Sequence, residues 1–215
     1  MILALLLAAA APAAPTAIDA ERAFAADAQR IGQWTAFRKY AEPTAVIFTP
    51  QAAWAQVVYK DLRDPPRALT WSPARSFVSC DRNLAINTGP WRNAKGEQGY
   101  FTTVWSRQKD GGWKWSVDGG DTLKTPLAPR AQPVVRRSTC AGLAHLRHVY
   151  VATTRSIDEI AGKAPADAGL GRSADGTLSW SWTVAKDGAR HFQAKLWNGR
   201  RYDVVLDQHV AAPAK

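Results

Sequence analysis

Residues that most often carry chemistry are scarce in this chain of 215 residues. There are four histidines, and none lies between positions 18 and 121, so the first half offers no imidazole as base or metal ligand. Only two cysteines occur, which excludes a paired-Cys zinc module. A GxSxG elbow and a phosphate-binding glycine loop are absent, and with them the simplest sequence signatures of acyl and phosphoryl transfer. No apolar run reaches the roughly 20 residues that a membrane-spanning helix needs. No solenoid period is present either.

What is abundant is aromatic and basic. Ten tryptophans and 46% hydrophobic residues supply a sizeable core, and the formal charge is +10. The excess is uneven: residues 18–123 carry 14 basic and 11 acidic side chains, residues 124–215 carry 14 and 7. A basic C-terminal half suits either a well-solvated surface or an anionic membrane or protein partner. Nucleic acid is not expected of an exported chain.

Export is the expectation from the first residues, "MILALLLAAAAPAAPTA". This apolar run is broken by Pro12 and Pro15, and Ala11 and Ala13 supply small residues at cleavage-determining positions. Residues 1–17 therefore read as a signal peptide, removed near Ala13 to Ala17, with one departure from the pattern: the basic n-region is missing, since no Lys or Arg precedes Arg22. The mature chain is expected in the periplasm or outside the cell, without a transmembrane segment. There Cys80 and Cys140 would meet oxidising conditions. A bridge would close a loop of about 60 residues and contribute roughly 4 kcal/mol through chain entropy. The alternative is two small buried hydrophobes that never meet.

The hydrophobic pattern changes period along the chain. "IDAERAFAADAQRIG" has near-helical spacing with a glycine stop, and "QWTAFRKY" continues as a second short helix before Pro43. From "AVIFT" onward the period is two. "RSFVSCDRNLAINTGPW" predicts a strand, a turn and a strand, and "GYFTTVWSRQKDGGWKWSVDGGD" a hairpin through Asp-Gly-Gly. "KTPLAPRAQPVVRR", residues 124–137, reads as a Pro-rich basic linker or strap, and "APADAGLGRSADG" as a loop. Three strands joined by Asp187-Gly188 and Asn198-Gly199 follow, so residues 138–207 are read as an extension ending in a three-stranded antiparallel meander, and 208–215 as a disordered tail. The fold class is α+β: N-terminal helices on a strongly curved antiparallel sheet.

The element order of "AERAFAADAQRIGQWTAFRKYAEPTAVIF" followed by "GYFTTVWSRQKDGGWKWSVDGGD" resembles the SnoaL-like branch of the nuclear-transport-factor-2-like superfamily, over roughly residues 18–121. The resemblance implies a cone domain (18–123) around an apolar pocket, and homodimers paired through the sheet. It includes ketosteroid isomerases, polyketide cyclases, dehydratases and members with no reaction, so it implies a shape more than a function. Its enzymes mark the pocket with an Asp or a His-Asp pair, and this half lacks His.

Asp118 is the catalytic candidate, as a general base. Strict alternation puts Trp113, Trp115 and Val117 on one face of the strand and Lys114, Ser116 and Asp118 on the other, so whether Asp118 faces a pocket depends on how the sheet curls. "VDGGD" otherwise reads as a strand end and turn holding Asp118 and Asp121. Trp34, Trp54, Tyr100 and Trp105 join Asp118 as candidate ligand-binding residues, with Tyr100 or Trp34 orienting a substrate. His145 and His148 lie at helical spacing but lack a third ligand, so no metal is expected, nor any cofactor. The reading is a binder of a small apolar or aromatic molecule. The alternatives are an isomerase, cyclase or hydrolase with Asp118 as base, and a non-catalytic interaction module of the cell envelope.

Overall fold

The structure, a computed structural model, describes residues 14–146 and 164–214. The chain opens with α1 (Ala17–Ile31), capped by Thr16, whose hydroxyl and backbone exchange hydrogen bonds with Asp19 in a capping box. Gly32, at φ 102°, ends α1 and starts α2 (Gln33–Tyr40). The first sheet comprises β1 (Ala41–Phe48), β2 (Ala52–Trp54), β3 (Thr70–Trp71), β4 (Arg75–Val78), β5 (Leu84–Arg92), β6 (Gln98–Arg107), β7 (Trp113–Thr122) and β8 (Val134–Arg137), with α3 (Ala55–Tyr59) between β2 and β3. Its order is β2-β1-β7-β6-β5-β4-β8, with β3 also on β5. The consecutive strands β4 to β7 form the expected antiparallel meander, but β1 joins β7 and β8 joins β4 in parallel, so the whole sheet is mixed.

A short 3-10 turn at Leu143–Leu146 leads towards the second sheet: β9 (Ala168–Arg172), β10 (Leu178–Val184), β11 (Arg190–Trp197) and β12 (Tyr202–Val210), a four-stranded antiparallel meander. Three layers result. One core lies between the helices and the first sheet, around Phe24, Phe37, Trp105, Trp113 and Trp115. The other lies between the two sheets, where Phe77, Ile86, Val104 and Val117 meet Leu178, Trp182, Phe192 and Leu196. Each buried indole takes roughly 150–250 Å² from water, about 4–6 kcal/mol of transfer free energy. The face of the first sheet turned away from the helices is therefore covered by the chain's own second sheet.

Several boundaries differ from the pattern reading. Pro43 lies inside β1 and not at a helix end. The Pro-rich 124–137 segment contributes β8, because Val134–Arg137 pairs with Arg75–Val78 and satisfies that edge of the sheet. "AGLGR" is strand β9, made possible by Gly169 and Gly171, which leave room for the indoles of Trp182 and Trp180 on the neighbouring strand. The meander has four strands, and β12 runs through residues 208–210 of the expected tail. Cys80 and Cys140 do form a disulfide, with Cα atoms 5.3 Å apart, tying the end of β4 to the segment after β8. Most of the segment expected to be a signal peptide, residues 1–13, lies outside the described residues, as does His148. No helix of the described residues is long and apolar enough to cross a membrane.

Candidate functional site

Between the helices and the first sheet lies a cavity of about 390 Å³. Helix α1 supplies its floor. The residues α1 buries are Ala17, Ala20, Glu21, Phe24, Asp27 and Ala28, so a glutamate sits on the apolar stripe. Glu21 is wholly inaccessible, and Trp71 donates its indole N–H to Oε1 (2.9 Å) while Trp105 (2.6 Å) and the amide of Asn87 (3.3 Å) donate to Oε2. Burial raises its pKa to about 7, against the pull of these donors and with a push from the negative charge of Asp118.

Asp118 faces the same cavity from β7. Strict alternation would have turned it away from Trp113 and Trp115. A bulge reverses it: Val117 pairs with Val104 and Trp115 with Trp105, leaving Ser116 as an extra residue. Trp115 therefore packs under the helices, Val117 turns into the core between the sheets, and Asp118 comes round to the cavity. The "VDGGD" segment is continuous strand and not a turn, since Asp118 pairs with Thr103 and Thr122 with Gly99. Gly120 is required there because a Cβ would lie 2.1 Å from the carbonyl oxygen of Tyr100.

Enclosure by protein raises the Asp118 pKa to about 7, opposed by the Thr103 hydroxyl, which donates to Oδ1 at 2.8 Å, and by the more distant charge of Arg190. Asp118 nonetheless keeps part of its surface accessible, as a carboxyl that opens onto a cavity deep in the molecule must. Arg190 comes from the second sheet, lies 4.9 Å from the ring centroid of Phe48 and donates to the Gly120 carbonyl.

Aromatic rings complete the walls. Trp34 of α2 stacks on Tyr59 of α3 at 5.0 Å, and Phe24 meets Phe37 and Trp71 edge to face at 4.7 and 4.8 Å. The position of α2 is set by Asp64, whose carboxylate accepts from the backbone N–H groups of Trp34 and Thr35 and from the Thr35 hydroxyl. Tyr59 and Tyr100 are both raised, mainly by burial and secondarily by the charges of Asp118 and Asp121 respectively, so both phenols remain protonated donors at neutral pH.

Of the five candidate residues, Trp34, Tyr100 and Asp118 line this cavity. Trp105 lies behind it, fully buried and acting through Glu21. Trp54 lies across the sheet, packed against the inter-sheet core beside a groove that Trp180 and Trp182 also line. Asp121 reaches the rim. Sequence reasoning missed Glu21, Phe24, Phe37, Tyr59 and Trp71 as lining residues. For Glu21 a signal existed: it stands four residues after Ala17 and seven before Ala28, on the stripe those alanines define.

A helical layer thus encloses an apolar cavity against a curved sheet meander, with a second sheet behind it. No family model and no curated protein matches the chain. Among solved structures it is similar to a candidate ketosteroid isomerase from Parabacteroides distasonis, at 18% identity over 50% of this chain and 86% of that one, with a TM-score of 0.39. It is similar also to the CaMKII hub of S. rosetta, at 21% identity over 53% and 100% of the two chains, TM-score 0.40. A candidate aromatic ring hydroxylase from Novosphingobium aromaticivorans matches at 14% identity over 51% and 87%, TM-score 0.36. Likeness at this level concerns the fold alone.

Proposed function

We propose that the cavity binds a small aromatic or apolar molecule carrying one hydrogen-bonding group, which meets Asp118. The observation behind this reading is a chamber walled largely by aromatic rings into which Asp118 opens a partly accessible carboxyl, while Glu21 is sealed beneath its indole donors and Asp121 stays at the rim. Its volume falls in the range of about 300–1,000 Å³ that small-molecule sites occupy. The rings supply apolar contact at little entropic cost, and the Asp118 carboxyl orients the guest. Calorimetric titration with 2-naphthol and with naphthalene tests it. The hydroxylated compound is expected to bind at one equivalent and more tightly than the hydrocarbon. Trp34→Ala weakens both, and Asp118→Ala abolishes the difference between them. Absence of saturable binding by either compound sinks the proposal.

A second reading, proton transfer with Asp118 as base, is favoured by one specific feature: a carboxyl with a pKa of about 7 is half ionised at neutral pH, where a general acid–base group works best. Isomerase, cyclase or hydrolase chemistry would then require Asp118→Asn to abolish turnover of a ketone or polyketide-like substrate while leaving its binding intact.

Export with cleavage before Pro15 accompanies both readings. The Pro15 carbonyl accepts from Arg107 and from the indole of Trp113, and Thr16 caps α1, so a cut after Ala17 would remove both. The mass of the mature chain tests this directly.

A further inference from the structure

Away from the cavity, on the outward face of the second sheet, three potential ligands converge. His191 on β11 and His209 on β12 are direct cross-strand partners, and Asp207 stands two residues before His209 on the same side. Period two sends Phe192, Ala194 and Leu206 into the inter-sheet core and leaves these three outside. The imidazole rings lie face to face, centroids 4.2 Å apart and planes within 5°. Both present Nε2 to one carboxylate oxygen: Asp207 Oδ1 is 2.6 Å from Nε2 of His191 and 3.8 Å from Nε2 of His209. Gln193, opposite Asp207 on β11, donates to the same oxygen at 3.3 Å.

We propose that His191, Asp207 and His209 form a binding site for a divalent transition-metal cation of the zinc class. Two imidazoles and a carboxylate are a zinc donor set, and bonds of about 2.0–2.1 Å place neighbouring ligand atoms about 3.3 Å apart in a tetrahedron. The three donor atoms here all lie within 4.8 Å of one another, so small side-chain rotations suffice and the backbone need not move. Without an ion, two imidazole nitrogens crowd one oxygen; a cation between them engages all three. The ladder between β11 and β12 holds the ligands in register, and Gln193 orients the carboxylate as a positioning residue. With three protein ligands, water or a group from another molecule completes the coordination. This cluster is the one such group among the described residues, and it is independent of the cavity.

The test is calorimetric titration of zinc chloride into the full mature chain, tag-free and stripped with chelator. One saturable equivalent is expected. His191→Ala, His209→Ala and Asp207→Asn should each weaken binding by at least about tenfold, the size of effect that disturbed metal shells show. His145→Ala/His148→Ala removes the other two histidines and should leave the affinity unchanged. Circular dichroism of each variant establishes that it is folded, as expected for two exposed positions and one half-buried one on the outward face of the sheet. Zinc bound as tightly by the His191→Ala/His209→Ala protein as by the wild type, or no saturation at millimolar zinc, overturns the proposal.

Discussion

Replacing Asp118 by Asn should stabilise this protein at neutral pH, and by an amount that depends on pH. The folded carboxyl has its pKa raised from the ordinary 3.8 to about 7 by burial. It therefore holds its proton in the folded state where the unfolded chain has released it. Stability from this group is full below about pH 4 and is lost as pH rises through about 7, after which it is flat. The shift spans about 3 pH units at about 1.4 kcal/mol each, and access of cavity water reduces the result to about 2–4 kcal/mol. Glu21, raised from 4.5 to about 7, has the same sign. Wild-type stability should thus fall by about 4–6 kcal/mol between pH 4.5 and 7.5. That window excludes Asp27, which hydrogen bonds from Lys39 and Arg30 hold at about 2.

Asparagine has the same shape and still accepts from Thr103, so the Asp118→Asn protein should keep its fold and lose about half of that slope. Removing the Asp118 charge also relieves Glu21, and the Glu21→Gln/Asp118→Asn double variant should lose most of the slope, Glu42, which burial also raises, supplying part of what is left. Urea denaturation followed by tryptophan fluorescence at half-unit pH intervals measures these slopes. If wild type and Asp118→Asn run parallel from pH 4.5 to 7.5, or the variant is less stable at pH 8, then Asp118 is not a desolvated carboxyl and the argument fails.

Three further outcomes follow from the packing. Cys80→Ser/Cys140→Ser should lower stability by about 4 kcal/mol, some 10 °C in Tm for a chain of this size, and an unchanged melt would show that the bridge constrains little. Trp182→Ala, which empties the inter-sheet core beside Phe48, should cost about 3–5 kcal/mol and weaken both sheets in one cooperative transition; separate transitions would mean that the layers fold independently. Asp27→Asn should cost less than about 1 kcal/mol at pH 7, because Lys39 and Arg30 are largely exposed. It should also reduce the wild-type loss that sets in as pH falls from about 4 towards 2, the remainder coming from Asp19, Asp64 and Asp175, which their hydrogen bonds also hold low, and equal acid sensitivity of the two proteins would count against the ion pair.

Local chemistry made the elements legible. The near-helical spacing, the Gly32 stop and the Asp-Gly and Asn-Gly turns act within a few residues, so α1, α2, the β6–β7 hairpin and the β10–β11–β12 meander are all readable from the chain. β8 and β9 were not, because an edge strand with little apolar alternation is defined by the partner that accepts its hydrogen bonds. Trp34 and Tyr100 stood out as aromatic material; Trp54 looked the same and went to the other face.

The sequence by itself determined the helix-then-meander order, the aromatic richness of the core and the presence of carboxyl groups near it. Which carboxyls reach the cavity was decided by tertiary structure. A single extra residue at Ser116 rotates Asp118 inward, and the packing of α1 on β5 and β6 carries Glu21 beneath two indoles. Residue type does not encode either event, because side-chain direction past a bulge and the desolvation of a helical glutamate both depend on what lies across the sheet. The same holds for His191, Asp207 and His209, which are 18 positions apart at their extremes and become neighbours only when β11 and β12 pair.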